Sequence, residues 1–502
     1  MSRHLPIILF LLPFATAICL PMVSLRARAW CRPLALLSTF AMVVTAVVNF
    51  LAVSNGRPIR YAFAGWSRKS TPFLGIEWVN DHLASAMLVV VSFLGFLCLL
   101  FSGPLTPENE KPRSAHAYTL KLLLIAALCG IVFAGDIFNV FVFLEVATLS
   151  ACTLVALAGD RALIDAFRYL ILGTLGSTFY LLGVVFFYAT TGTLNMADMT
   201  QHFMATPELL SSKSVLAGMA FLFLGFGIKM ALFPLHAWLP GAYSRAPDAI
   251  SPLLAGLMTK VALFGCVRIL FWGLRAGEHL EHFHLLTLLG GLGMIASVAG
   301  ALLALAQNDV KRLFAYGGIS HIGLILTGIS QGNPTAFAGS MFYLVNDAVT
   351  QAGLFFIAGV ASLHYGARSV QDLPRLRHSP WILAAFIALA LNMIGIPPLG
   401  GFFGKWHILL GALEEDHYLA VAVVVFSTLL TMAYFQRLFL SIFGRRDVVP
   451  HPKETAPPPL VKCIVGVTAA CIVVMGLCSD PLIGFFRQAA ADAGLQETMT
   501  SR

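Results

Sequence analysis

Apolar residues in this chain do not alternate with polar ones at a helical or strand period. They come in long runs separated by short polar breaks. One helix needs about 20 mostly apolar residues to cross a bilayer. Fourteen runs approach or exceed that length, at about 5–24, 33–53, 83–102, 117–135, 137–158, 167–189, 214–236, 249–273, 285–306, 313–330, 337–362, 381–404, 419–442 and 460–485. The pattern predicts an all-α polytopic membrane protein of about 14 transmembrane helices. The longest polar connections, about 54–82, 190–213 and 443–459, leave little chain for a soluble domain.

Two runs depart from a straight span. From Ser214 to Tyr243 the apolar stretch is about 30 residues, too long for one span, and Pro234 removes a backbone donor inside it. The run 381–413 is interrupted by "GIPPLGG" at 395–401. Both read as discontinuous helices. Irregular backbone at membrane depth has to line protein or a water-filled cavity, and transporters place ion sites at such breaks.

Shifting the chain by 176 residues lays Thr174 on Thr350, Phe179 on Phe355, Gly183 on Gly359 and Val184 on Val360 without a gap. The same shift lays Glu145 on His321 and Lys229 on Lys405. Spans four to eight and nine to thirteen then form two five-helix repeats. Because five is odd, the second repeat is inverted relative to the first, a plan common in secondary transporters. The expected organisation is 1–116, three N-terminal spans and a polar loop; 117–273, the first repeat and the proton-translocation half; 285–442, the second repeat; and 443–502, a loop and the last span. The prolines are out of register under the shift, so the symmetry is approximate.

Composition agrees with the pattern. The 502 residues are 58% hydrophobic and 11% charged, against roughly 25% charged in soluble domains. A net charge of +8 invites a nucleic-acid reading, but the basic residues lie in short loops, where they set topology. No nucleic-acid partner is expected. With the N-terminus outside, seventeen basic loop residues fall on the inner face and nine on the outer, the segment 54–82 being the outer exception. Both termini are expected outside. The first run has a signal-peptide-like "ATA", yet it continues through "PMV" into "RARAWCR", which favours a retained helix. The nine cysteines form no C-x-x-C pair and no G-x-G-x-x-G loop is present, so no cofactor is expected in this chain. Nucleotide or flavin chemistry would need a partner subunit.

The informative residues are the charges inside the runs, because a charge near the bilayer centre costs roughly 2.5–3.5 kcal/mol even on a lenient scale. Glu145 and Lys260 lie too deep to reach an interface easily, Lys229 is some sixteen residues past Ser214, and Lys405 follows the break at 395–401. With His236 and His321, which titrate near neutrality, they form a candidate lateral proton relay. A Glu–Lys pair that forms and breaks would switch the lysine between holding and releasing a proton. Asp136, at the start of span five, fits an accessory site at the outer mouth or a helix N-cap. Asp248 has the same N-cap reading, and Arg245 and His407 mark interfaces. Structural ion pairing between helices is the competing account of the whole set.

At "GDIFNVFVFLE" (135–145), "GFGIKMALFPLHAWLPGAYSRAP" (225–247), "LLAGLMTKVALFGCVR" (253–268) and "GIPPLGGFFGKW" (395–406), the sequence resembles the antiporter-like membrane subunits. These are shared by Mrp-type multisubunit cation/proton antiporters and the proton-pumping arm of complex I, the NADH-quinone oxidoreductase. The resemblance covers nearly the whole chain. It implies that Glu145 is the span-five glutamate pairing with the span-seven lysine, Lys229, that Lys260 is the central span-eight lysine, and that Lys405 is the terminal span-twelve lysine. "TGTLNMADM" (191–199) and Lys405 look most like the D subunit of Mrp-type antiporters. Span eleven departs from the family: many relatives carry a His-containing K-[TA]-x-L-F pattern, whereas "LVNDAVTQAGLFFIAG" offers Asn346, Asp347 and Gln351. Asp347 is expected close to Lys405 as an accessory carboxylate.

The resemblance implies a proton-translocating subunit of a Na+ or K+/proton antiporter, with other membrane subunits as partners and the bacterial inner membrane as its place. A proton-pumping subunit of an NADH-quinone oxidoreductase or membrane hydrogenase is the alternative, and a scaffold without translocation is the third. In each the chain itself carries no redox centre.

Overall fold

The structure, a computed structural model, describes residues 4–54, 56, 58–63, 75–103, 111–275, 284–444 and 455–495. Of the basic residues that set the expected topology, Arg3, Arg57, Arg68, Lys69, Arg445, Arg446, Lys453 and Arg502 lie outside the described residues, as do the side chains of Lys111 and Arg113. Residues 64–74 of the expected 54–82 connection and 445–454 of the expected 443–459 connection fall there too.

Helices dominate: α1 (Leu5–Arg26), α2 (Cys31–Ser54), α3 (His82–Ser102), α4 (Lys111–Phe133), α5 (Ile137–Ala156), α6 (Asp160–Thr191), α7 (Met196–Ala205), α8 (Lys213–Lys229) and α9 (Leu239–Arg245). Then come α10 (Ser251–Leu253) and α11 (Thr259–Arg268), which make one continuous helix with π-helical turns at Leu254–Met258 and Ile269–Gly273. The remainder are α12 (His284–Leu305), α13 (Val310–Ile329), α14 (Pro334–Tyr365), α15 (Pro380–Ile394), α16 (Gly400–Glu414), α17 (Tyr418–Phe443), α18 (Pro459–Leu477) and α19 (Ser479–Asp492). Between α2 and α3 a hairpin pairs β1 (Ile59–Ala62) with β2 (Glu77–Asn80), Ile59 opposite Asn80 and Tyr61 opposite Trp78. Among the described residues, 12 helices are long and apolar enough to cross a membrane. Expected spans seven and twelve are instead the broken pairs α8/α9 and α15/α16. The last expected span, 460–485, divides into α18 and α19 at Cys478, and the expected loop 190–213 holds α7.

Burial locates the centre. The helix Ser251–Gly273 is buried along its whole apolar window and α14 along nearly all of it, whereas α1, α2, α17 and α18 keep most of theirs outward. Outward apolar side chains such as Leu37, Phe40, Leu163, Phe167 and Leu429 suit a hydrocarbon solvent. The α1 helix packs on α2 and α4.

Local chemistry ends the helices where they end. Asp136 caps α5 by accepting from the Asn139 N–H at 2.6 Å, Asp309 caps α13 through the Arg312 N–H, and Asn333 caps α14 through the Ala336 N–H. The first break begins after Lys229, where Ala231 has φ +54°. There the Trp238 indole N–H donates to Ile228 O at 2.8 Å, a carbonyl at the end of α8 that also accepts from the Ala231 N–H at 3.2 Å, and the Trp238 ring stacks on Tyr169 at 4.2 Å. The second break uses glycines. Gly395 reverses the chain at φ +89°, and a Cβ on Gly401 would overlap Asn392 O. The Gly401 N–H donates to Asn392 Oδ1 at 2.8 Å.

Candidate functional site: a line of buried charges

Lys229 is the last residue of α8, so its side chain leaves the helix where the backbone unwinds. Its ammonium lies 3.5 Å from Glu145 of α5 and donates to Thr148 Oγ1 at 2.6 Å. The lysine side chain is 5% exposed and the glutamate 25%. Glu145 shares an outward stripe of α5 with Phe138, Val142 and Leu149.

The second group is deeper. Lys260 donates to Ala255 O at 3.0 Å, a carbonyl of the first π-turn, and forms an ion pair with Asp347 of α14 at 2.9 Å. Irregular helical turns of this kind are frequent at functional sites. Asp347 has no exposed side-chain surface, and its other oxygen meets His321 Nδ1 of α13 at 3.0 Å. Tyr343 Oη lies 2.9 Å from the same nitrogen. One carboxylate thus joins the central lysine of the first half to a histidine of the second.

Lys405 sits five residues beyond the second break. Its ammonium donates to Met393 O at 2.8 Å and Ile394 O at 3.2 Å, the last carbonyls of α15, and lies 5.8 Å from the Tyr343 ring centroid. A cation is favoured there by the negative end of the half-helix. Among the described residues it makes no ion pair. Asp347 is near enough for its charge to act on Lys405, but it makes no direct ion pair with it: Asp347 projects from α14 toward Lys260 and His321, and backbone carbonyls take up the Lys405 ammonium.

The remaining expected residues divide. His236 lies on the unwound segment after α8, stacked on Phe233 at 5.0 Å with the edge of Tyr316 at 6.0 Å. Its Nδ1 is buried without a hydrogen-bond partner among the described residues, and it joins neither cluster directly. Asp136 is an N-cap. Asp248 is not one: it pairs with Lys311 at 2.5 Å. Arg245 holds Asp165 at 2.6 Å, and His407 contacts Phe403 O at 2.8 Å.

Three buried groups were not singled out in the sequence. Arg268, eight residues after Lys260 on the same helix, pairs with Asp81 at 2.5 Å and faces the Trp272 ring at 5.1 Å. Lys121 of α4 donates to Ser102 Oγ at 2.5 Å. Glu77 accepts from Asn195 Nδ2 at 3.1 Å. Arg268 and Lys121 stood inside apolar runs and carried the same signal as Lys260; Glu77 lies in a polar connection and carried none.

Two wide cavities flank this line. One of about 500 Å³ is bounded by Asp160, Arg161, Arg245, Asp248, Lys311 and Arg312, on the face where α6 and α13 begin. The other, about 340 Å³, is bounded by Arg60, Glu77, Asp81, Thr200, Arg268 and Asp492, where the second π-turn ends. Among the described residues no three His, Cys, Asp or Glu side chains converge as metal ligands do.

Residues 134–431 match the family model described as NADH:quinone oxidoreductase/Mrp antiporter, TM. The chain belongs to this family. It is 37% identical over 461 residues to the N subunit of the NADH-quinone oxidoreductase of Desulforudis audaxviator, covering 91% of this chain and 90% of that one. It is 31% identical over 464 residues to the D subunit of the Na(+)/H(+) antiporter of Alkalihalophilus pseudofirmus, covering 90% of each. A chain of the membrane-bound sulfane sulfur reductase, an archaeal respiratory membrane complex, superposes with a TM-score of 0.87 at 27% identity over 97% of both chains. A chain of the Mrp complex from Dietzia sp. DQ12-45-1b shares the fold, with a TM-score of 0.86 at 23% identity over 98% of this chain and 97% of that one. As a member of the NADH:quinone oxidoreductase/Mrp antiporter family, the chain is an all-α integral membrane protein. Its span-eleven Asp347 is built into a buried charge pair.

Proposed function

We propose that the chain is a proton-translocating membrane subunit of a multisubunit Na+ or K+/proton antiporter. The observation that carries this reading is the run of buried ionisable side chains across both halves: Glu145 with Lys229, Lys260 with Asp347 and His321, and Lys405 at the second break. Charges this deep in an apolar protein are costly as scaffolding and useful as proton carriers. Glu145 and Lys229 exchange partners as charge moves. Lys260 passes a proton through Asp347 and His321 toward Lys405, and His236 and Asp136 serve as accessory groups on the first half. The two halves, 117–273 and 285–442, act as inverted repeats, each closed by a broken helix.

The subunit works beside other membrane subunits, as the Mrp and sulfane sulfur reductase neighbours are parts of complexes. It needs no cofactor of its own. The excess of basic residues on the face with the 500 Å³ cavity supports placing that face inside and both termini outside, in a bacterial inner membrane.

A second reading, a proton-pumping subunit of a respiratory complex, is favoured by the 37% identity to the N subunit of an NADH-quinone oxidoreductase. Reconstitution of the intact assembly in vesicles separates the two. Proton movement driven by an imposed Na+ or K+ gradient, with no electron donor, supports antiport; movement only with a donor and a quinone supports the pump. In either case Lys229→Ala or Glu145→Ala should abolish proton movement while the assembly still forms, and normal transport by both variants rejects the relay.

A further inference from the structure

The cavity of about 500 Å³ where α6 and α13 begin is lined by five basic side chains, Arg161, Arg245, Lys311, Arg312 and Arg368, against three carboxylates. Two of the five are answered, Arg245 by Asp165 at 2.6 Å and Lys311 by Asp248 at 2.5 Å. Asp309 is engaged in capping α13. Arg368 gives its Nε–H to a neutral group, Ser362 Oγ, at 3.1 Å. Among the described residues the guanidinium groups of Arg161 and Arg312 make neither an ion pair nor a hydrogen bond. Basic loops on one face follow from topology alone. Arginines from α6, α13 and the turn after α14 meeting at one concave opening do not, and a cleft with a surplus of one sign focuses its field and collects counter-ions.

Arg168 indicates what kind of anion belongs there. It lies two turns along α6 from Arg161, about 10 Å, and its side chain is 69% exposed. Beside it are the outward apolar side chains Ile164, Phe167 and Ile171, so it stands on a face that suits hydrocarbon. Its side chain reaches back one turn, toward the start of α6, to Asp165 at 3.7 Å, a carboxylate already held by Arg245. A long arginine placed in this way extends toward the headgroup level. A soluble phosphate would meet the cavity alone. A phospholipid meets both, with its phosphate among the arginines and its chains along Ile164 and Ile171.

We propose that this opening is an anionic phospholipid site: Arg161, Arg312 and Arg368 bind the headgroup phosphate, Arg168 flanks it, and the lipid ties α6 to α13. The planar fork of arginine matches phosphate oxygens, and basic pockets between spans suit acidic headgroups. The site goes beyond the function proposed above and does not rest on it.

Photolabelling tests it in the intact assembly, held in phosphatidylcholine vesicles with a trace of phosphatidylglycerol bearing a photoactivatable headgroup. Labels should map to 158–168 and 309–312. Unlabelled phosphatidylglycerol should compete, and millimolar inorganic phosphate should not. Arg161→Gln combined with Arg312→Gln, at exposed positions without partners, should weaken this labelling about thirtyfold. Arg26→Gln combined with Arg28→Gln, a matched loss of charge at the end of α1, should leave it within about twofold. No label at either segment, as when a partner subunit covers the opening, overturns the site, and so does an equal loss in the two double variants. Competition by inorganic phosphate overturns the lipid and reassigns the cavity to a soluble anion. A wild type that moves no protons but labels as expected refutes the function proposed above and leaves the lipid in place.

Discussion

The two broken helices each carry a buried lysine and treat it differently. Lys229 precedes its break and faces a carboxylate, Glu145, that is a quarter exposed on an outward stripe. Lys405 follows its break and faces the carbonyls of Met393 and Ile394, with no carboxylate paired to it among the described residues. At the first break, charge is balanced by a partly exposed side chain. At the second, the balance comes from the fixed end of a half-helix, and the carboxylate has been moved one span over, to Asp347, where it serves Lys260 and His321 instead. A lysine beside a broken helix does not by itself fix what answers it.

Asp347 tests that contrast most severely. It is the only partner bridging the central lysine and His321 among the described residues, and it has no solvent to replace it. Asp347→Ala should abolish proton movement and destabilise the fold by about 3–5 kcal/mol, the usual penalty for orphaning one member of a buried pair. Glu145→Ala, at the more exposed pair, should stop transport with a far smaller loss. Thermal or denaturant unfolding of the two purified variants compares them, and equal destabilisation would erase the distinction between the halves. Asp347→Asn keeps the shape and removes the charge that pairs with Lys260 at 2.9 Å. Proton movement should therefore fall sharply, and wild-type rates in vesicles would remove Asp347 from the relay.

The breaks themselves can be compared with smaller changes. Trp238→Phe removes the indole N–H from Ile228 O, which keeps the Ala231 N–H, and should cost about 1 kcal/mol, loosening the first break alone. Gly401→Ala, which drives a methyl into Asn392 O, should disturb only the second; hydrogen exchange at 228–239 and 392–405 reads each separately. The smallest effect is expected at Asp136. Its replacement by Ala removes a cap worth roughly 1 kcal/mol, and Asn should recover most of it. A transport defect in Asp136→Asn beyond that loss would restore an accessory proton role.

The membrane class and most spans were legible in the sequence because hydrocarbon tolerates little but apolar helix over about 20 residues. Pro234 and "GIPPLGG" disclosed the two interruptions for the same kind of reason: a missing donor and a left-handed turn are local facts. The places of Glu145, Lys229, Lys260 and Lys405 in or beside the apolar runs could also be read along the chain. Which of them meet could not. Asp347 and Lys260 are separated by 87 positions, and only the packing of the central helix against α14 brings them to 2.9 Å. Likewise Asp248 read as a cap and became the partner of Lys311, because capping depends on nearby backbone whereas an ion pair depends on a neighbour from another span. A sequence determines which residues are too polar for their surroundings. Tertiary structure decides who compensates them, since in a low-dielectric interior the interaction is strong only within a few ångströms and those ångströms are set by packing.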